Sequence, residues 1–239
     1  MNNYTVSGRK ALPASNGRPI RRTGQRCAKV KVAEYVYRDP RGRELFTKIR
    51  YRHDPCWCNR DKSFAYTWRP AYLKNEWDLV FQKPPDADGY LYRLDELWPF
   101  IARGQRETIY WAEGEKDADE MARAYKVLAT SHHQGAGKAT PAQAAWLVRA
   151  KRVVIVADLD DPGAYCAAHR HNLLLEAGFR GELVIVRAAE GNDAADHIAA
   201  GYRLGEFVEV DLSRLAEAAS RYKSNLTNNH AKYMGESNV

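Results

Sequence analysis

Long hydrophobic runs are missing from this 239-residue sequence. No stretch approaches the roughly 20 consecutive apolar residues that a membrane-spanning helix requires. The first residues, Met1 to Tyr4, open a polar segment instead of the apolar core of a signal peptide. We therefore expect a cytoplasmic protein without a membrane partner.

Cysteine is also scarce, with four residues in the chain. Cys27, Cys56, Cys58 and Cys166 are too few and too irregularly spaced for a disulfide framework in a chain of this length, so we expect reduced thiols. His53, Cys56 and Cys58 form a short cluster that leaves a zinc site open as an alternative. A closed structural zinc site needs four ligands, however, and C-x-C is not the usual spacing.

Acidic residues are outnumbered by basic residues in the first part of the chain. Residues 1–100 hold 20 Lys and Arg against 11 Asp and Glu, whereas the remaining residues hold 17 against 19. Because a basic excess attracts phosphate groups, it favours a nucleic-acid partner. A solvated basic tail without a specific partner would produce the same composition, so charge alone does not decide between the two interpretations.

The first hundred residues divide into two regions. Residues 1–26 are rich in Ser, Asn, Gly, Pro and Arg without apolar periodicity, which predicts a flexible basic arm. Residues 27–104 predict a small β-rich N-terminal region, with a hairpin across Lys29–Arg52 and a linker helix over Asp95–Arg103. The many aromatic residues of this region fill a core or stack on unpaired bases, and we favour the core.

From Thr108 onward, short β-type runs alternate with helical stretches. Residues 105–204 are therefore predicted to form an α/β domain with a parallel sheet flanked by helices. The predicted strands are Thr108–Ala112, Val127–Thr130, Val153–Ala157 and Leu183–Val186, and the predicted helices are Lys116–Tyr125, Pro141–Ala150 and Pro162–Ala177. Residues 205–239 predict one helix, Leu212–Tyr222, and a disordered polar end, Lys223–Val239.

Acidic residues directly follow two of the predicted strands. Glu113 comes after the first strand, and Asp158 and Asp160 come after Val153–Ala157. Because ligands collect at the carboxyl ends of parallel strands, and because Asp158 and Asp160 project to the same side of an extended chain, these acids are expected to converge. Converging carboxylates repel one another unless a divalent cation that prefers oxygen lies between them, which predicts Mg²⁺ or Mn²⁺. Helix capping is the simpler alternative, but it accounts for one acid and not for the set.

Three segments in order resemble the Toprim domain of phage- and plasmid-type DNA primases. They are Glu113-Gly114-Glu115-Lys116-Asp117, Asp158-Leu159-Asp160-Asp161-Pro162-Gly163 and Asn192-Asp193-Ala194-Ala195-Asp196. The resemblance covers roughly Thr108–Gly201 and implies a Toprim-type sheet with an acidic metal site. The implied catalytic residues are Glu113, Asp117, Asp158 and Asp160, the implied metal ligands are Glu113, Asp158, Asp160 and Asp193, and Asp196 is a secondary acidic residue.

Basic residues near these motifs are candidate contacts to nucleic acid or nucleotide. They are Lys116, Lys138, Arg50, Arg52, Arg60 and Lys62. Lys138 belongs to the segment Gly135–Thr140, which is glycine-rich but lacks the Gly and the Ser or Thr that a Walker A loop would have at His132 and Ala139. An ordinary glycine turn is an equally good interpretation. The histidines show no shared metal spacing and are set aside.

The resemblance, taken with the basic N-terminal region, implies a primase-like nucleotidyltransferase. It would make RNA primers from nucleoside triphosphates on a single-stranded DNA template, in phage, plasmid or mobile-element replication, with a replicative helicase as a candidate partner. Two alternatives stay open. The same acidic site suits a metal-dependent Toprim nuclease, and the basic region suits a non-catalytic nucleic-acid-binding accessory protein of a replication complex.

Overall fold

The structure, a computed structural model, describes five stretches of the chain: residues 28–54, 60–70, 78–104, 107–135 and 137–235. Side chains are described as far as Ser224. The predicted flexible arm, residues 1–26, lies outside these ranges, as do Cys56 and Cys58 of the zinc alternative.

A three-stranded antiparallel sheet is formed by the first part of the described chain. Its strands, in spatial order, are β1 (Lys29–Arg38), β2 (Glu44–His53) and β3 (Lys62–Thr67). The Asp39 carboxylate folds the turn between β1 and β2, because it accepts the backbone N–H groups of Arg41 and Arg43 at 2.8 and 3.0 Å. Gly42 supplies the left-handed backbone that this turn needs, with φ of 80°. The predicted hairpin is confirmed.

A second sheet has five strands and is mostly parallel. Its spatial order is β5-β4-β6-β7-β8, with bounds β4 (Thr108–Trp111), β5 (Leu128–Thr130), β6 (Arg152–Ala157), β7 (Glu182–Arg187) and β8 (Val208–Glu209). Neighbouring strands are parallel except that β8 runs antiparallel to β7. The predicted α/β class is therefore confirmed, and β8 adds a short antiparallel edge that the sequence pattern did not predict.

Helices connect and flank these strands. Their bounds are α1 (Leu94–Ala102), α2 (Glu115–Tyr125), α3 (Pro141–Ala145), α4 (Asp161–Glu176), α5 (Ala194–Ala199) and α6 (Leu212–Gly235). Helix α3 ends before the predicted Ala150, because the N–H groups of Leu147 and Ala150 bond three residues back and tighten the chain into turns. Helix α5 was not predicted.

Helix α6 corrects the prediction for the C-terminal end of the chain. A disordered segment was expected from Lys223, but the helix continues to Gly235. The sequence has no Gly or Pro between Leu212 and Gly235, so it contains no strong helix breaker in this stretch. The first half of the helix buries Leu215 and Ala219.

Alternating residues of β6 divide the core into two layers. Val153 and Ile155 pack into a cluster with α1, α4 and α6, whereas Val154 and Val156 pack on the other side of the sheet. This second cluster includes Tyr37 of the three-stranded sheet. The two sheets therefore share apolar core, which fixes the position of one relative to the other. No helix among the described residues is long and apolar enough to cross a membrane.

The fold places Gly163 of α4 against the loop that carries Asp158. A Cβ atom at Gly163 would lie 2.5 Å from the Asp158 carbonyl oxygen. Because backbone cannot move away cheaply, we expect Gly163→Ala to lower the free energy of unfolding by about 1–3 kcal/mol, measured by urea denaturation. Gly205→Ala is the control, since no atom lies within 4 Å of its added Cβ. Equal denaturation midpoints for the two variants would contradict this close packing.

Candidate active site

A cavity of about 510 Å³ opens where the three-stranded sheet faces the carboxyl ends of β4 and β6. Both signs of charge line it. The acidic lining residues are Glu113, Glu115, Asp117, Asp158 and Asp193, and the basic lining residues are Lys48, Arg50, Lys62, Lys83, Lys116 and Lys138. The strand-end acids of the two neighbouring parallel strands thus meet at one opening, as the rule for parallel sheets predicts.

Four of these acids come from different elements. Glu113 follows β4, Asp158 follows β6, Asp117 lies in the first turn of α2, and Asp193 is the N-cap of α5. The Asp117 carboxylate accepts the backbone N–H of Ala195 at 3.2 Å, which joins α2 to α5. The structure therefore brings together four predicted site residues at the edge of the sheet.

Burial and mutual repulsion raise the pKa values of these carboxyl groups. Burial and then the charges of Glu113, Asp117 and Asp193 raise the pKa of Asp158 to about 8. Burial and then Asp193 raise the pKa of Asp117 to about 6. Burial also raises the pKa of Glu113. The group therefore resists carrying its full negative charge unless a positive charge joins it.

Glu113 has an unsatisfied carboxylate oxygen. Its Oε2 atom is buried and has no hydrogen-bond partner among the described residues. An orphaned buried oxygen of this kind is uncommon and suits a cation as partner. In the described ranges, however, no group of three or more His, Cys, Asp or Glu side chains is arranged so that it could hold a metal ion. The carboxylates share a cavity without forming a ready-made coordination shell.

Asp160 and Asp196 lie apart from this cavity lining. The Asp160 carboxylate caps α4, since its Oδ1 atom accepts the N–H of Gly163 at 2.6 Å. It borders a neighbouring cavity of about 380 Å³, which Asp158 also lines. The Asp196 carboxylate accepts the N–H of Asn192 at 2.8 Å. Capping is thus observed for Asp160, while its charge still contributes to raising the pKa of Glu113.

A buried arginine lies beneath the carboxylates and was not anticipated from the sequence. The Arg170 guanidinium donates to the carbonyl oxygens of Trp111 and Val156, close to the ends of β4 and β6. Its positive charge partly offsets the rise in the pKa values of Glu113 and Asp158. Arg170 lies within α4, and no pattern in the sequence of this helix indicates that its side chain reaches the sheet.

Most of the predicted basic contacts reach the cavity. Lys116, Lys138, Arg50 and Lys62 line it, whereas the exposed Arg52 and Arg60 do not. Arg50 pairs with Phe64 and Arg52 pairs with Lys62, so all four side chains share one face of the sheet, and Arg52 lies on that face outside the cavity lining. Gly135 also borders the cavity, so the glycine-rich segment contributes to it together with Lys138.

Lys48 and Glu115 form a buried ion pair that sequence reasoning missed. The Lys48 Nζ atom lies 2.7 and 2.9 Å from the two Glu115 carboxylate oxygens, with side-chain exposures of 6% and 5%. The Tyr37 hydroxyl donates to Glu115 Oε1 at 2.8 Å. This pair joins β2 to α2 across the cavity wall. A signal existed, because Lys48 lies two residues after Phe46 and so shares the inward face of β2.

A second hydrogen-bond network, centred on His133, was not predicted, because the histidines show no metal spacing in the sequence. The ring of His133 lies between Tyr66 and Asp88: Nδ1 is 3.1 Å from the Tyr66 hydroxyl, and Nε2 is 2.8 Å from Asp88 Oδ1. Lys83 and Gln134 also donate to Asp88, at 2.7 and 2.6 Å. Tyr66, Lys83, His133 and Gln134 line the cavity. No spacing in the sequence connects these residues.

The remaining predicted features lie elsewhere. His53 of the zinc alternative has its Nε2 atom 2.6 Å from the Ser63 hydroxyl, on the face of the sheet opposite Lys48. Cys166 is free and buried.

Comparison with solved structures identifies the architecture. The E. coli primase catalytic core superimposes with a TM-score of 0.52 at 16% identity, over 77% of this chain and 54% of that one. The Aquifex aeolicus primase, with its zinc-binding and RNA polymerase domains, gives 0.50 at 19% identity, over 78% and 39%. A DnaG primase catalytic domain bound to ssDNA gives 0.51 at 16% identity, over 77% and 53%. The fold of this chain is similar to part of a primase catalytic core.

The likeness to primase cores concerns fold, since sequence identity is low. This chain spans about half the length, or less, of these solved structures. No protein-family model matches the sequence. No curated protein matches it either. The Toprim-type fold expected from the three motifs therefore agrees with the primase-core architecture, and the phage or plasmid type stays a prediction.

Because Lys48 is paired in the interior, we expect its replacement to lower the free energy of unfolding far more than replacement of the surface residue Lys31. Lys48→Met would leave Glu115 buried without its cation, so we expect the free energy of unfolding to fall by about 3–5 kcal/mol. Adding Glu115→Gln should restore most of that loss, because it removes the unpaired charge. Urea denaturation of both single variants and the double variant measures this. Lys31→Met is the control, since its partner Glu34 is exposed. Similar losses of stability in Lys48→Met and Lys31→Met would refute the predicted contribution of the buried pair.

The raised pKa of Asp158 predicts a pH dependence of stability. Because the folded state holds this proton more tightly than the unfolded state, stability should fall as pH rises from about 4 to about 8. In metal-free buffer at pH 8, Asp158→Asn should be more stable than wild type, on the order of 2 kcal/mol. Chemical denaturation at pH 5 and pH 8 tests this. The exposed Glu176→Gln variant should keep the wild-type slope, and an unchanged slope in Asp158→Asn would disprove the repulsion.

Proposed function

We propose that this chain is a primase-like nucleotidyltransferase that makes RNA primers on single-stranded DNA. The observation that carries the proposal is one cavity, in a primase-core fold, that combines converging strand-end carboxylates with a wall of cationic side chains. A triphosphate and a template both carry phosphates, which the cationic wall attracts. The carboxylates at the edge of the parallel sheet suit the divalent cation that accompanies a nucleoside triphosphate.

We infer Mg²⁺ or Mn²⁺ as the cofactor, on the chemistry of the carboxylates, which are not arranged as a ready-made coordination shell. Glu113 offers an unpartnered buried oxygen, and the raised pKa values of Asp158 and Asp117 show that a positive charge would relieve repulsion here. Glu113, Asp158 and Asp193 would hold the cation, with Asp117 in support and Asp160 adding charge from the neighbouring cavity. When bound, a divalent ion neutralises charge on the pyrophosphate leaving group and lowers the pKa of an attacking 3′-hydroxyl.

The protein's own groups have separate tasks in this proposal. Lys116 and Lys138 would bind the triphosphate, because both line the cavity and Lys116 Nζ lies 3.8 Å from Asp193 Oδ2. Arg50 and Lys62 would hold template phosphates on the face of the three-stranded sheet, with Arg52 and Arg60 extending the track. Glu113, whose pKa is raised by burial, is suited to accept and release the hydroxyl proton.

The exposed ring of Phe64 favours a single-stranded over a double-stranded template in this proposal. Its ring is 43% exposed on β3 and lies 4.3 Å from the Lys48 Nζ atom, measured to the ring centroid. An exposed aromatic ring between cationic side chains can stack on an unpaired base, either of the template strand or of the nucleotide that pairs with it. One of the structural neighbours, a DnaG primase catalytic domain, was solved bound to ssDNA. Replication of a phage, plasmid or mobile element, with a helicase partner, rests on the motif resemblance alone.

The proposal is tested by activity and binding measured on the same variants. Purified protein with single-stranded DNA, ribonucleotides and Mg²⁺ or Mn²⁺ should yield short labelled RNA. Asp158→Asn or Glu113→Gln should reduce the product at least about 100-fold, because each removes charge that the transition state needs. DNA affinity at fixed salt should change less than about twofold, since phosphate contacts supply most of it. Glu176→Gln, exposed on α4, is the matched control.

Other outcomes of this assay decide between the alternatives. Shortening of the DNA without added nucleotides would replace the primase proposal with a Toprim nuclease. Binding of DNA without either activity would favour a non-catalytic accessory protein of a replication complex. Equal loss of activity and binding in Asp158→Asn would contradict the separation of the acidic edge from the cationic wall.

A further inference from the structure

Tyr66, His133 and Asp88 form a hydrogen-bonded series that ends at the Asp88 carboxylate. Asp88 receives Lys83 Nζ at 2.7 and 2.9 Å and Gln134 Nε2 at 2.6 Å. Although its partial burial works in the opposite direction, the bond and charge of Lys83, together with His133, lower the pKa of Asp88. An ionised carboxylate can only accept hydrogen bonds. The His133 Nε2 atom, 2.8 Å from Asp88 Oδ1, must therefore carry a proton.

The imidazole of His133 is neutral, which fixes its second nitrogen. The side chain is 1% exposed and lies within aromatic contact of Tyr37, Phe46 and Tyr66, with centroids 5.6 to 6.1 Å away. Burial lowers the pKa of His133 to about 4. A neutral imidazole has a single N–H, and Asp88 already holds it on Nε2. The Nδ1 atom therefore presents a lone pair to Tyr66.

The Tyr66 hydroxyl consequently directs its proton into the protein. Its oxygen lies 3.1 Å from His133 Nδ1, and among the described residues the other acceptor within reach is the backbone carbonyl oxygen of His133, at 3.4 Å. Burial, then the charges of Glu115 and Asp88, raise the pKa of Tyr66 to about 12, so the phenol stays neutral. With its single proton committed, the oxygen can only accept a hydrogen bond from a ligand in the cavity.

A neutral hydrogen-bond acceptor with no proton left to donate selects a ligand group that donates. A phosphodiester carries no proton and a terminal phosphate is largely deprotonated at neutral pH, so phosphate is a poor partner for Tyr66. A sugar hydroxyl is a donor. Tyr66 lies two residues after Phe64 on the same face of β3, about 6.8 Å along the strand. That separation is comparable to the span between a nucleobase and the hydroxyls of its own ribose.

We propose that Tyr66 is a specificity-determining residue that accepts a hydrogen bond from a ribose hydroxyl of the nucleotide, with His133 and Asp88 as positioning residues. This inference rests on the proposed function, because it presumes that the cavity takes a nucleotide. A site built to accept from a hydroxyl rejects the analogue that lacks it, since the protein oxygen is then left unpaired. Tyr66 would thus favour ribonucleotides over deoxynucleotides.

Equilibrium binding of three nucleotides to the full chain tests the inference. ATP, 2′-deoxyATP and 3′-deoxyATP are titrated with Mg²⁺ by isothermal calorimetry. Wild type should bind ATP about three- to tenfold more tightly than one of the two deoxy analogues, and which analogue loses affinity identifies the hydroxyl. Tyr66→Phe keeps the ring and should weaken ATP binding by the same factor while leaving that analogue unchanged.

Two further variants separate this role from a general loss of affinity. Phe64→Leu should weaken all three nucleotides together and keep their ratio. His133→Phe preserves an aromatic ring but frees the Tyr66 proton to turn into the cavity, so the ratio should fall while Tyr66 is still present. A thermal melt establishes that each variant is folded.

The possible results test the role of Tyr66 separately from the proposed function. Equal binding of all three nucleotides by wild type, or a preference that Tyr66→Phe leaves intact, overturns the role of Tyr66 while the proposed function stands. Equal weakening of all three nucleotides by Tyr66→Phe, as expected if Tyr66 contacted the base, also overturns it. Failure of wild type to bind any of the three nucleotides overturns the proposed function itself.

Discussion

The candidate site depends on one buried ion pair, Lys48 with Glu115. Lys48 projects from β2 and Glu115 begins α2, so the pair connects the three-stranded sheet to the helix that follows β4. Burying two charges is costly, and the cost is offset only when both are well bonded. Tyr37 supplies a further hydrogen bond to Glu115. With this connection in place, the cationic face of one sheet lies opposite the acidic edge of the other, and a cavity with two chemically different walls results.

The acidic edge works against folding stability in the absence of a cation. Burial and like charges raise the pKa values of Asp158 and Asp117, and a group that is harder to ionise in the folded state lowers stability at neutral pH. Arg170 offsets part of this repulsion from within the core. A protein that kept such carboxylates for structure alone would be more stable with amides. The arrangement is therefore better explained by a function that requires negative charge than by packing.

The sequence predicted what depends on local rules and missed what depends on tertiary contact. Glu113 and Asp158 could be placed at one edge because neighbouring parallel strands end together, and that rule needs no coordinates. The partner of Lys48 lies 67 residues away and that of His133 lies 45 residues away, and no periodicity connects positions so distant. Asp160 shows a different limit, because a strand-end acid and a helix cap have the same sequence pattern. The last turns of α6 could not be predicted, because a polar composition is typical both of disordered chain and of an exposed helix without helix breakers.

Affinity and selectivity would reside in different groups of this cavity. Contacts between lysine or arginine and phosphate weaken as salt screens them, and they do not distinguish one nucleotide from another. The Tyr66 oxygen is neutral, and its orientation is fixed by His133 and Asp88 rather than by the ligand. A hydrogen bond between neutral groups depends much less on salt than an ion pair does. A cavity built in this way can bind its substrate loosely or tightly as ionic conditions change, while the preference for one sugar over another stays constant.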